Sequence, residues 1–463
     1  MTSALVYGVA IAGRSTVRAL AQRGYEVVAT DDRLTAATRD EVTALGARVI
    51  EPGDVATSLH GVDVVVPAPG VPETHPAVAA ALEAGLDVAS EIELAYRFEQ
   101  ERPDGPRPML AVTGTDGKTT TTLLACEILR AGGRRTVAAG NTDVPLLDAI
   151  DMDVDCFVVE ATSFRLAWAS TFRSEAAVWL NVAEDHLNWH RSMATYVAAK
   201  SKIFDLQRPG DVAVGFADDA IVMEHLARAP GTRRTFAANG ADYRVEDEWL
   251  VGPGGPIVAV DSMRRALPHD LTNALAASAI ALEAGLASAA AVEPAVRSFT
   301  GPPHRLEDLG VHAGIRWFND SKATTPHAAS VALAAFERVV LIAGGLNKGL
   351  DLSPMAAQAH HVATVVAIGR DAADIEAVFA PHSRVVAASD MRAAVMCAAE
   401  LAIGADVVLL SPGCASFDWY PDGGYEARGD DFRREVERLG RDRDADRDAD
   451  CDAETSTVKG APA

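Results

Sequence analysis

The sequence predicts an α/β protein with three domains, and three observations support this fold class. Its 463 residues are too many for one hydrophobic core and correspond to about three domains of roughly 150 residues each. Short apolar runs alternate with helical stretches near both ends of the chain, a pattern typical of βαβ units around a parallel sheet. Two proline-rich breaks, at 102–108 and 301–303, interrupt this pattern. The predicted domains are 1–100, 108–300 and 301–439.

The first domain is predicted to be a Rossmann-like sheet. Its strands and helices are expected in turn at 4–7, 17–23, 26–30, 40–45, 62–66 and 76–83. The first turn, residues 8–13, resembles the glycine-rich turn of dinucleotide sites, with Ala10 at the middle glycine, and Asp31 and Asp32 follow the second strand. Such a turn binds NAD, binds another nucleotide diphosphate, or only packs a helix on a sheet, so these alternatives stay open.

The central domain is predicted to contain a P-loop-type phosphate site. The segment 113–120 follows the apolar run 109–112 and precedes a helix-like stretch. Its glycines let backbone N–H groups surround phosphate oxygens, Lys118 reaches the β and γ phosphates, and a threonine hydroxyl ligates Mg²⁺. Val112 occupies the first glycine position of the strict motif, which argues against a motor or transport ATPase.

Acidic, imidazole and amine side chains follow the next predicted strands of this domain. Glu160 ends the apolar run 156–160, where a carboxylate can hold Mg²⁺ beside the phosphate loop. His186 follows the strand 176–181, and Lys200 lies on a helical stretch beyond it. The alternatives are a cap for Glu160, a hydrogen-bonded loop histidine for His186 and a solvated face for Lys200.

The third domain is predicted to be a second Rossmann-like sheet, with strands at 338–343, 364–368, 384–387 and 407–410. The tail, 440–463, is predicted to be disordered because its Asp-Arg and Asp-Ala repeats lack the apolar residues that a core needs.

Lysine usage singles out candidate functional residues. The chain has six lysines among 42 basic residues, so arginine supplies almost all of its ordinary positive charge. Arginine cannot replace lysine where a compact charge or a modifiable amine is needed. Four of the six lysines fall in candidate sites: Lys118, Lys200, Lys322 and Lys348.

Composition excludes several classes of protein. A formal charge of −23 argues against nucleic-acid binding, which needs a basic face. Five scattered cysteines favour reduced thiols in the cytosol. The sequence shows no basic leader and no apolar run near the ~20 residues of a membrane span, so a cytoplasmic protein without membrane insertion is expected.

The ordered set of motifs resembles the Mur ligases, the ATP-dependent amide ligases of peptidoglycan assembly. The resemblance extends over residues 1–438 and rests on these segments, in this order: 113–120, 159–164, 181–186, 199–200, 272–275, 303–305, 319–324, 344–348 and 410–418. The last three are most similar to those of the members that act on D-glutamate.

This resemblance implies a fold and a reaction. The three domains would be a Rossmann-like UDP-binding domain, a P-loop-type ATPase domain and a Rossmann-like glutamate-binding domain. The carboxylate of UDP-N-acetylmuramoyl-L-alanine would attack the γ-phosphate of ATP, and D-glutamate would displace phosphate from the acyl phosphate. Closure of the third domain would exclude water. A monomer is expected.

The resemblance also implies roles around ATP. Lys118, Glu160, His186, Lys200 and Lys322 would be the catalytic residues. Two Mg²⁺ ions would be held by Thr119, Glu160, His186 and Lys200, the last carrying a carbamate derived from CO₂. The nucleotide would be bound by Gly114, Thr115, Asp116, Gly117, Lys118, Thr119, Thr120, Asn273, Arg305 and Asp320.

Two further subsites are implied. UDP and its sugar would be bound by Ala12, Gly13, Ser15, Asp32, Arg33, Gly70, Asn141 and His186. Glutamate would be bound by Thr324, Lys348, Ser416 and Phe417, beside an aromatic ring from either Tyr420 or Tyr425. The chain departs from the family pattern at Asp116, Asp143 and Asp270, where extra carboxylates affect fine contacts more than the reaction.

Other functions remain open at this stage. A folate-extending ligase of the same class would lack the first domain. A nicotinamide oxidoreductase would leave Lys118, Glu160 and Lys200 without a role, and a scaffold descended from a ligase would not need them. A related Mur-type ligase that uses L-glutamate or another acceptor would differ only in the pocket around Lys348.

Overall fold

The structure, a computed structural model, describes residues 2–402 and 407–457, with side chains described as far as residue 442. The chain divides into two compact units, Met1–Phe299 and Thr300–Ala463, which are described separately. The first unit contains both of the predicted domains 1–100 and 108–300, each built on its own sheet. Within the described ranges, no helix combines the length and the apolar character needed to cross a bilayer.

The first sheet consists of five parallel strands: β1 (Ser3–Tyr7), β2 (Glu26–Thr30), β3 (Arg48–Val49), β4 (Val64–Pro67) and β5 (Asp87–Val88). Their order is β3-β2-β1-β4-β5. The helices of this region are α1 (Ile11–Gln22), α2 (Ala36–Ala44), α3 (Val55–Ser58), α4 (Pro76–Glu83) and α5 (Glu91–Gln100). The strand order reverses at β1, so the loops after β1 and β4 border the crevice where ligands bind in such sheets.

The second sheet has six parallel strands: β6 (Met109–Thr113), β7 (Thr136–Gly140), β8 (Cys156–Glu160), β9 (Ala176–Trp179), β10 (Val212–Phe216) and β11 (Thr232–Phe236). Their order is β11-β10-β9-β6-β8-β7. Because β6 lies between β8 and β9, the loops after these three strands meet at one edge.

Helices and a small antiparallel sheet complete the first unit. The helices are α6 (Lys118–Ala131), α7 (Leu146–Ala149), α8 (Ser163–Ala167), α9 (Met193–Asp205), α10 (Ala220–Leu226), α11 (Pro268–Glu283) and α12 (Val292–Ser298). The small sheet contains β12 (Arg244–Glu246), β13 (Trp249–Gly252) and β14 (Gly255–Ala259).

The second unit is built on a mixed sheet: β15 (Glu307–His312), β16 (Ile315–Asn319), β17 (Val339–Gly344), β18 (Val362–Ile368), β19 (Arg384–Ala387) and β20 (Val407–Leu410). Their order is β15-β16-β20-β17-β18-β19, and only the pairing of β15 with β16 is antiparallel among the described strands of this sheet. Its helices are α13 (Pro326–Leu333), α14 (Ser353–Ala356), α15 (Ala372–Phe379), α16 (Met391–Leu401) and α17 (Gly424–Thr457).

Apolar patterning explains why these segments are strands. All six residues of β17 are buried, as expected for a strand covered on both faces in a parallel sheet. The predicted strands at 26–30, 156–160, 384–387 and 407–410 agree with the structure to the residue. Helix α11 begins at Pro268, because proline is favoured in the first helical turn.

The tail is the clearest difference from the sequence expectation. Helix α17 continues through Gly440 to Thr457, into the segment predicted to be disordered. Charges of opposite sign recur four residues apart, and Arg438–Asp442 and Arg441–Glu437 each approach to 3.9 Å, a spacing that favours helix. The disorder prediction for 458–463 lies outside the described residues.

Candidate active site

The phosphate loop joins β6 to α6 at the centre of the second sheet. Gly117 caps the helix with a φ of 81°, a conformation that L side chains rarely adopt. A Cβ at this position would also lie 2.6 Å from the Asn273 side-chain oxygen. The helix therefore begins at Lys118 with its N-terminal N–H groups at the edge of the sheet, where an anion is favoured.

Asn181, from the loop after β9, holds the phosphate loop in shape. Its Oδ1 accepts hydrogen bonds from the backbone N–H groups of Thr115 and Asp116, both at 2.9 Å. Its Nδ2 donates to the Asp116 carbonyl at 3.2 Å. The sequence assigns these two loop N–H groups to phosphate binding, but both donate to Asn181 instead. The N–H groups at the start of α6 are therefore the better candidates for binding an anion.

Two lysines converge on the carbonyl of Gly114. Lys118 Nζ donates to Gly114 O at 3.0 Å and to Thr115 O at 2.7 Å, and Lys200 Nζ donates to Gly114 O at 2.5 Å. Helix α9, whose first turn is stabilised by the capping box of Ser192 and Thr195, carries Lys200 to this point.

Lys200 is an unusual lysine because its side chain is fully buried, with 1 % of its surface exposed. Its Nζ lies 4.6 Å from the centre of the Tyr196 ring. Burial first, and the charge of Lys118 second, hold the pKa of Lys200 well below its ordinary value of 10.5. This shift favours the neutral amine over the ammonium, and a neutral amine is a nucleophile.

Glu160 ends β8 beside this pair. Its Oε1 accepts a hydrogen bond from Asn141 Nδ2 at 2.8 Å, whereas its buried Oε2 has no hydrogen-bond partner among the residues that the structure describes. An orphaned carboxylate oxygen is costly unless a cation completes it. Glu160 therefore fits a Mg²⁺ ligand, with Thr119 on the first turn of α6 as a neutral oxygen donor.

His186 completes the polar group at this edge. It adopts a φ of 56°, and its Nε2 lies 3.2 Å from Asp185 Oδ2. Burial lowers its pKa, and the charges of Lys118 and Lys200 lower it further against the opposing effect of Asp185. Across the described residues, no three His, Cys, Asp or Glu side chains form a ready-made metal site. Mg²⁺ is commonly held by one or two carboxylates together with substrate phosphates, and Glu160 fits that mode.

A buried chain of polar contacts that sequence reasoning missed supports Glu160. Asn141 Oδ1 accepts from Arg165 Nη1 at 2.8 Å, and Arg165 Nε lies 3.4 Å from Glu91 Oε2. Both side chains of the ion pair are almost fully buried, at 5 % and 2 % exposure. Asn141, predicted to lie near the sugar, thus connects Arg165 to Glu160. In the sequence, Arg165 stands between the apolar residues Phe164 and Leu166 of α8.

The other nucleotide residues are divided between the two units. Asn273 lies on α11, where its Oδ1 accepts from Thr121 Oγ1 at 3.2 Å beside Gly117. Arg305 and Asp320 belong to the second unit. Asp320 is buried, and its two oxygens accept from Leu306 N at 3.0 Å and from Ser411 Oγ at 2.8 Å.

The predicted UDP residues lie after strands of both sheets in the first unit. They are Ala12, Gly13 and Ser15 in α1 after β1, Asp32 and Arg33 after β2, Gly70 after β4, Asn141 after β7 and His186 after β9. The turn at 8–13 is tight, since a Cβ on Gly13 would lie 1.9 Å from the Gly8 carbonyl oxygen. Ala12 follows in the first turn of α1, and Gly70 is exposed after β4. Ser15 differs from the expectation, because its buried hydroxyl donates to Asp148 Oδ1 at 2.8 Å.

The two aspartates after β2 have different surroundings. Asp31 accepts from the backbone N–H groups of Val9 and Arg33, at 2.8 and 2.9 Å, so it is part of the turn. Asp32 is 58 % exposed and accepts from Tyr7 Oη at 2.6 Å, and His75 Nε2 lies 3.3 Å from it. Asp32 is thus a fixed acceptor that still faces solvent.

The tautomer of His75 follows from its other contact. Its Nδ1 accepts from the backbone N–H of Ala77 at 3.2 Å, so a neutral ring carries its proton on Nε2 and donates to Asp32. Burial, together with the Asp32 contact, raises the pKa of Tyr7. The sequence did not reveal Tyr7 and His75 as partners of Asp32, because they lie in β1 and in the loop after β4, far from Asp32 along the chain.

The second unit contains a cavity of about 570 Å³ that all four predicted glutamate residues line: Thr324, Lys348, Ser416 and Phe417. Lys348 Nζ lies 5.2 Å from the centre of the Phe417 ring. Tyr425 also lines the cavity, and Lys322 Nζ lies 5.6 Å from the centre of its ring. Tyr420, the other tyrosine offered by the sequence, instead donates to Asp431 at 2.6 Å.

Comparisons with known proteins bear on the family of this chain. Three family models match successive parts of the chain: the Mur ligase MurD-like N-terminal domain over 2–90, the Mur ligase middle domain over 112–281 and the Mur ligase glutamate ligase domain over 304–414.

Relatives match over nearly the whole length. A UDP-N-acetylmuramoylalanine–D-glutamate ligase from Frankia casuarinae is 42% identical over 458 residues, covering 93% of both chains. One of the same name from Mycolicibacterium vanbaalenii is 38% identical over 477 residues, covering 93% of this chain and 97% of the relative.

A solved structure, UDP-N-acetylmuramate-alanine ligase MurC from Thermotoga maritima, shares the fold with a TM-score of 0.56 at 19% identity, covering 95% of this chain and 99% of the other. The predicted α/β fold class, with N-terminal, central and C-terminal domains, is confirmed by these matches. Together they show that this chain belongs to the Mur ligase family.

Proposed function

We propose that this chain is an ATP-dependent ligase that joins D-glutamate to UDP-N-acetylmuramoyl-L-alanine. The observation that carries the proposal is the convergence of the phosphate loop, the orphaned Glu160 oxygen and the buried amine of Lys200 at one edge of a parallel sheet. This edge suits phosphoryl transfer, and the cavity lined by Lys348 suits an anionic acceptor. Relatives of that name match 93% of the chain, which supports the choice of substrates.

The proposed reaction has two steps. The substrate carboxylate attacks the γ-phosphorus of ATP, so that a carboxyl oxygen–phosphorus bond forms and the bond to ADP breaks. The glutamate amine then attacks the acyl carbon, phosphate leaves with the bonding electrons, and the amine loses a proton as the amide forms. Both steps bring anions together, so positioning and charge stabilisation by the protein account for the catalysis.

The chain's own residues would provide that stabilisation. Lys118 and the N-terminus of α6 would hold the transferred phosphate. Mg²⁺, when bound, supplies positive charge that offsets the phosphates, and Thr119, Glu160, His186 and Lys200 would hold it. Asn273, Arg305 and Asp320 would bind the rest of the nucleotide, and the exposed Asp32 would accept a hydrogen bond from the base.

Lys200 is proposed to carry a carbamate. A neutral amine attacks CO₂ at carbon and releases a proton, which converts a buried base into an anion. The depressed pKa of Lys200 supports this step, because only the unprotonated amine reacts. The carbamate would then offer anionic oxygen atoms to Mg²⁺, which the neutral amine lacks.

The test is phosphate release from ATP with UDP-N-acetylmuramoyl-L-alanine, with D-glutamate or L-glutamate supplied in parallel and the product identified by its mass. Turnover that depends on D-glutamate is the expected result. Turnover with L-glutamate alone would retain the mechanism and change the acceptor, and none with either amino acid would refute the proposal. Lys200→Ala is expected to abolish ligation, and short-chain carboxylic acids are expected to restore part of it.

A further inference from the structure

Arg428, in the second turn of α17, is buried in an unusual way. Its side chain is among the largest that are fully buried, with 1 % of the residue exposed. No carboxylate lies within ion-pair distance of its guanidinium among the residues that the structure describes. Because a buried charge without a counter-ion is costly, its retention requires that its hydrogen bonds be well satisfied.

The guanidinium connects three loops of the second unit. Nε donates to Ser321 Oγ at 2.9 Å and Nη2 donates to Ser321 O at 2.8 Å. Nη1 donates to Cys414 O at 3.1 Å and lies 3.4 Å from Gly344 O. All of its acceptors are neutral oxygens, so the bonds are charge-assisted on one side only. Burial lowers the pKa of Arg428 to about 10, so the group stays charged at neutral pH.

These three loops follow β16, β17 and β20, the neighbouring strands at which the order of the sheet reverses. They carry the residues that line the 570 Å³ cavity: Thr324 after β16, Lys348 after β17, and Ser416 with Phe417 after β20. The guanidinium thus touches each loop a few residues away from a cavity residue, and it does not line the cavity itself.

A second contact links Arg428 to Tyr425, an aromatic residue that lines the cavity. Ser321 Oγ accepts from Arg428 and donates to the Tyr425 carbonyl at 2.8 Å. Tyr425 lies on α17 three residues before Arg428, and its ring lines the cavity. The close packing leaves no spare room, since a Cβ on Gly345 would lie 3.2 Å from Arg428 Nη1 and 2.2 Å from the Ala415 carbonyl oxygen.

We infer that Arg428 is a positioning residue for the acceptor amino acid: it holds the three loops at the spacing that lets Thr324, Lys348 and Ser416 contact one glutamate. The inference rests on the proposed function. Arginine is required because its planar fork reaches three carbonyl groups and a hydroxyl in different directions, whereas a lysine ammonium is a point charge that cannot reach them all.

The test compares Arg428→Lys and Ser321→Ala with the wild-type chain. Arg428→Lys keeps the positive charge but replaces the planar guanidinium, which makes the hydrogen bonds to the three loops. Ser321→Ala keeps Arg428 and removes one hydroxyl acceptor. The matched control is Arg438→Met, an exposed arginine of the same helix whose only described ion pair is the 3.9 Å contact with Asp442. KM is measured separately for glutamate, ATP and the UDP-linked substrate, after equal thermal unfolding midpoints have shown that each variant folds.

Arg428→Lys is expected to raise the KM for glutamate about tenfold or more, the factor that corresponds to one lost charge-assisted hydrogen bond, with the other two KM values within about twofold of wild type. Ser321→Ala is expected to give a smaller change in the same direction, and Arg438→Met none. An equal change in all three KM values, or a loss of kcat alone, would overturn the positioning role.

The two proposals fail in different ways. Absence of glutamate-dependent turnover in the wild-type chain removes the proposed function and this inference with it. Normal turnover in the wild-type chain, with an unchanged KM for glutamate in a folded Arg428→Lys variant, removes only the inference. If Arg428→Lys does not fold, Ser321→Ala decides, and an unchanged KM for glutamate in that variant counts against the positioning role.

Discussion

The buried ion pair of Arg165 and Glu91 allows a quantitative test of how the first unit is held together. Replacing Arg165 with methionine removes the contact to Glu91 at 3.4 Å and the hydrogen bonds to Asn141 Oδ1 at 2.8 Å and Gly140 O at 3.2 Å. Glu91 would keep its hydrogen bond from Leu147 N at 2.8 Å. The variant therefore leaves a buried carboxylate without a counter-charge.

The expected cost follows from that uncompensated charge. Removing one partner of a buried pair lowers the free energy of unfolding by about 3–5 kcal/mol, whereas replacing both partners with uncharged residues costs much less. Arg165→Met alone should therefore cost more than the double variant Glu91→Gln/Arg165→Met. The coupling energy of the double-mutant cycle is expected to be about 2–3 kcal/mol.

The pH dependence provides an independent check. Burial raises the pKa of Glu91, and Arg165 opposes this effect. Without Arg165 the folded-state pKa should rise further, and a group with a raised folded-state pKa stabilises the fold below that pKa and loses this contribution as pH rises through it. The penalty of Arg165→Met should thus be greatest at neutral pH and shrink on acidification.

The assay is urea unfolding followed by tryptophan fluorescence and circular dichroism, with m-values compared between variants to detect intermediates. Arg228→Met is the control, because Arg228 and its partner Glu224 are 66 % and 61 % exposed and such pairs contribute little. Additive single-variant effects, or a cost for Arg165→Met no greater than that of the control, would refute the reasoning.

Two further predictions concern single groups. Since the folded-state pKa of Lys200 lies well below its ordinary 10.5, the unfolded chain binds the extra proton, and wild-type stability should rise with pH between these values by up to about 1.4 kcal/mol per pH unit. Lys200→Met should lack this pH-dependent contribution when its free energy of unfolding is measured by urea titration in CO₂-free buffer. If the free energies of unfolding of the variant and the wild type changed with pH in parallel, the prediction would be contradicted. Tyr7→Phe removes the 2.6 Å donor to Asp32 and should weaken binding of the UDP-linked substrate about three- to tenfold in calorimetry. Tyr25→Phe, whose ring packs on Phe98, is its control, and an equal affinity in both variants would argue against a role for Asp32.

Much of the fold was predictable because its signals are local. The apolar runs of β8 and β20 and the glycines around Lys118 act within a few residues, and the structure agrees with them. The convergence of Thr324, Lys348 and Ser416 on one cavity follows from the strand order, since loops after neighbouring parallel strands meet.

The supporting contacts could not be read from the sequence because their partners are far apart along the chain. Glu91 and Arg165 are separated by 74 residues, and Ser321 and Arg428 by 107. An isolated arginine in an amphipathic helix is also typical of an exposed face. Ser15 was assigned to UDP from its place in a nucleotide-like turn. Its hydroxyl instead donates to Asp148, which lies 133 residues away and could not be recognised as a partner from the sequence.

The last helix has consequences for how far the chain can be shortened. Phe432 and Val436 of α17 are fully buried in the core of the second unit, and Leu439 packs against the same cluster. A chain cut after Gly440 would keep these three side chains and Arg428. A cut before Gly429 would retain Arg428 as the terminal residue and remove the apolar anchors that seat its helix. The C-terminal limit for a functional deletion series, and for the attachment of a purification tag, thus lies near residue 440.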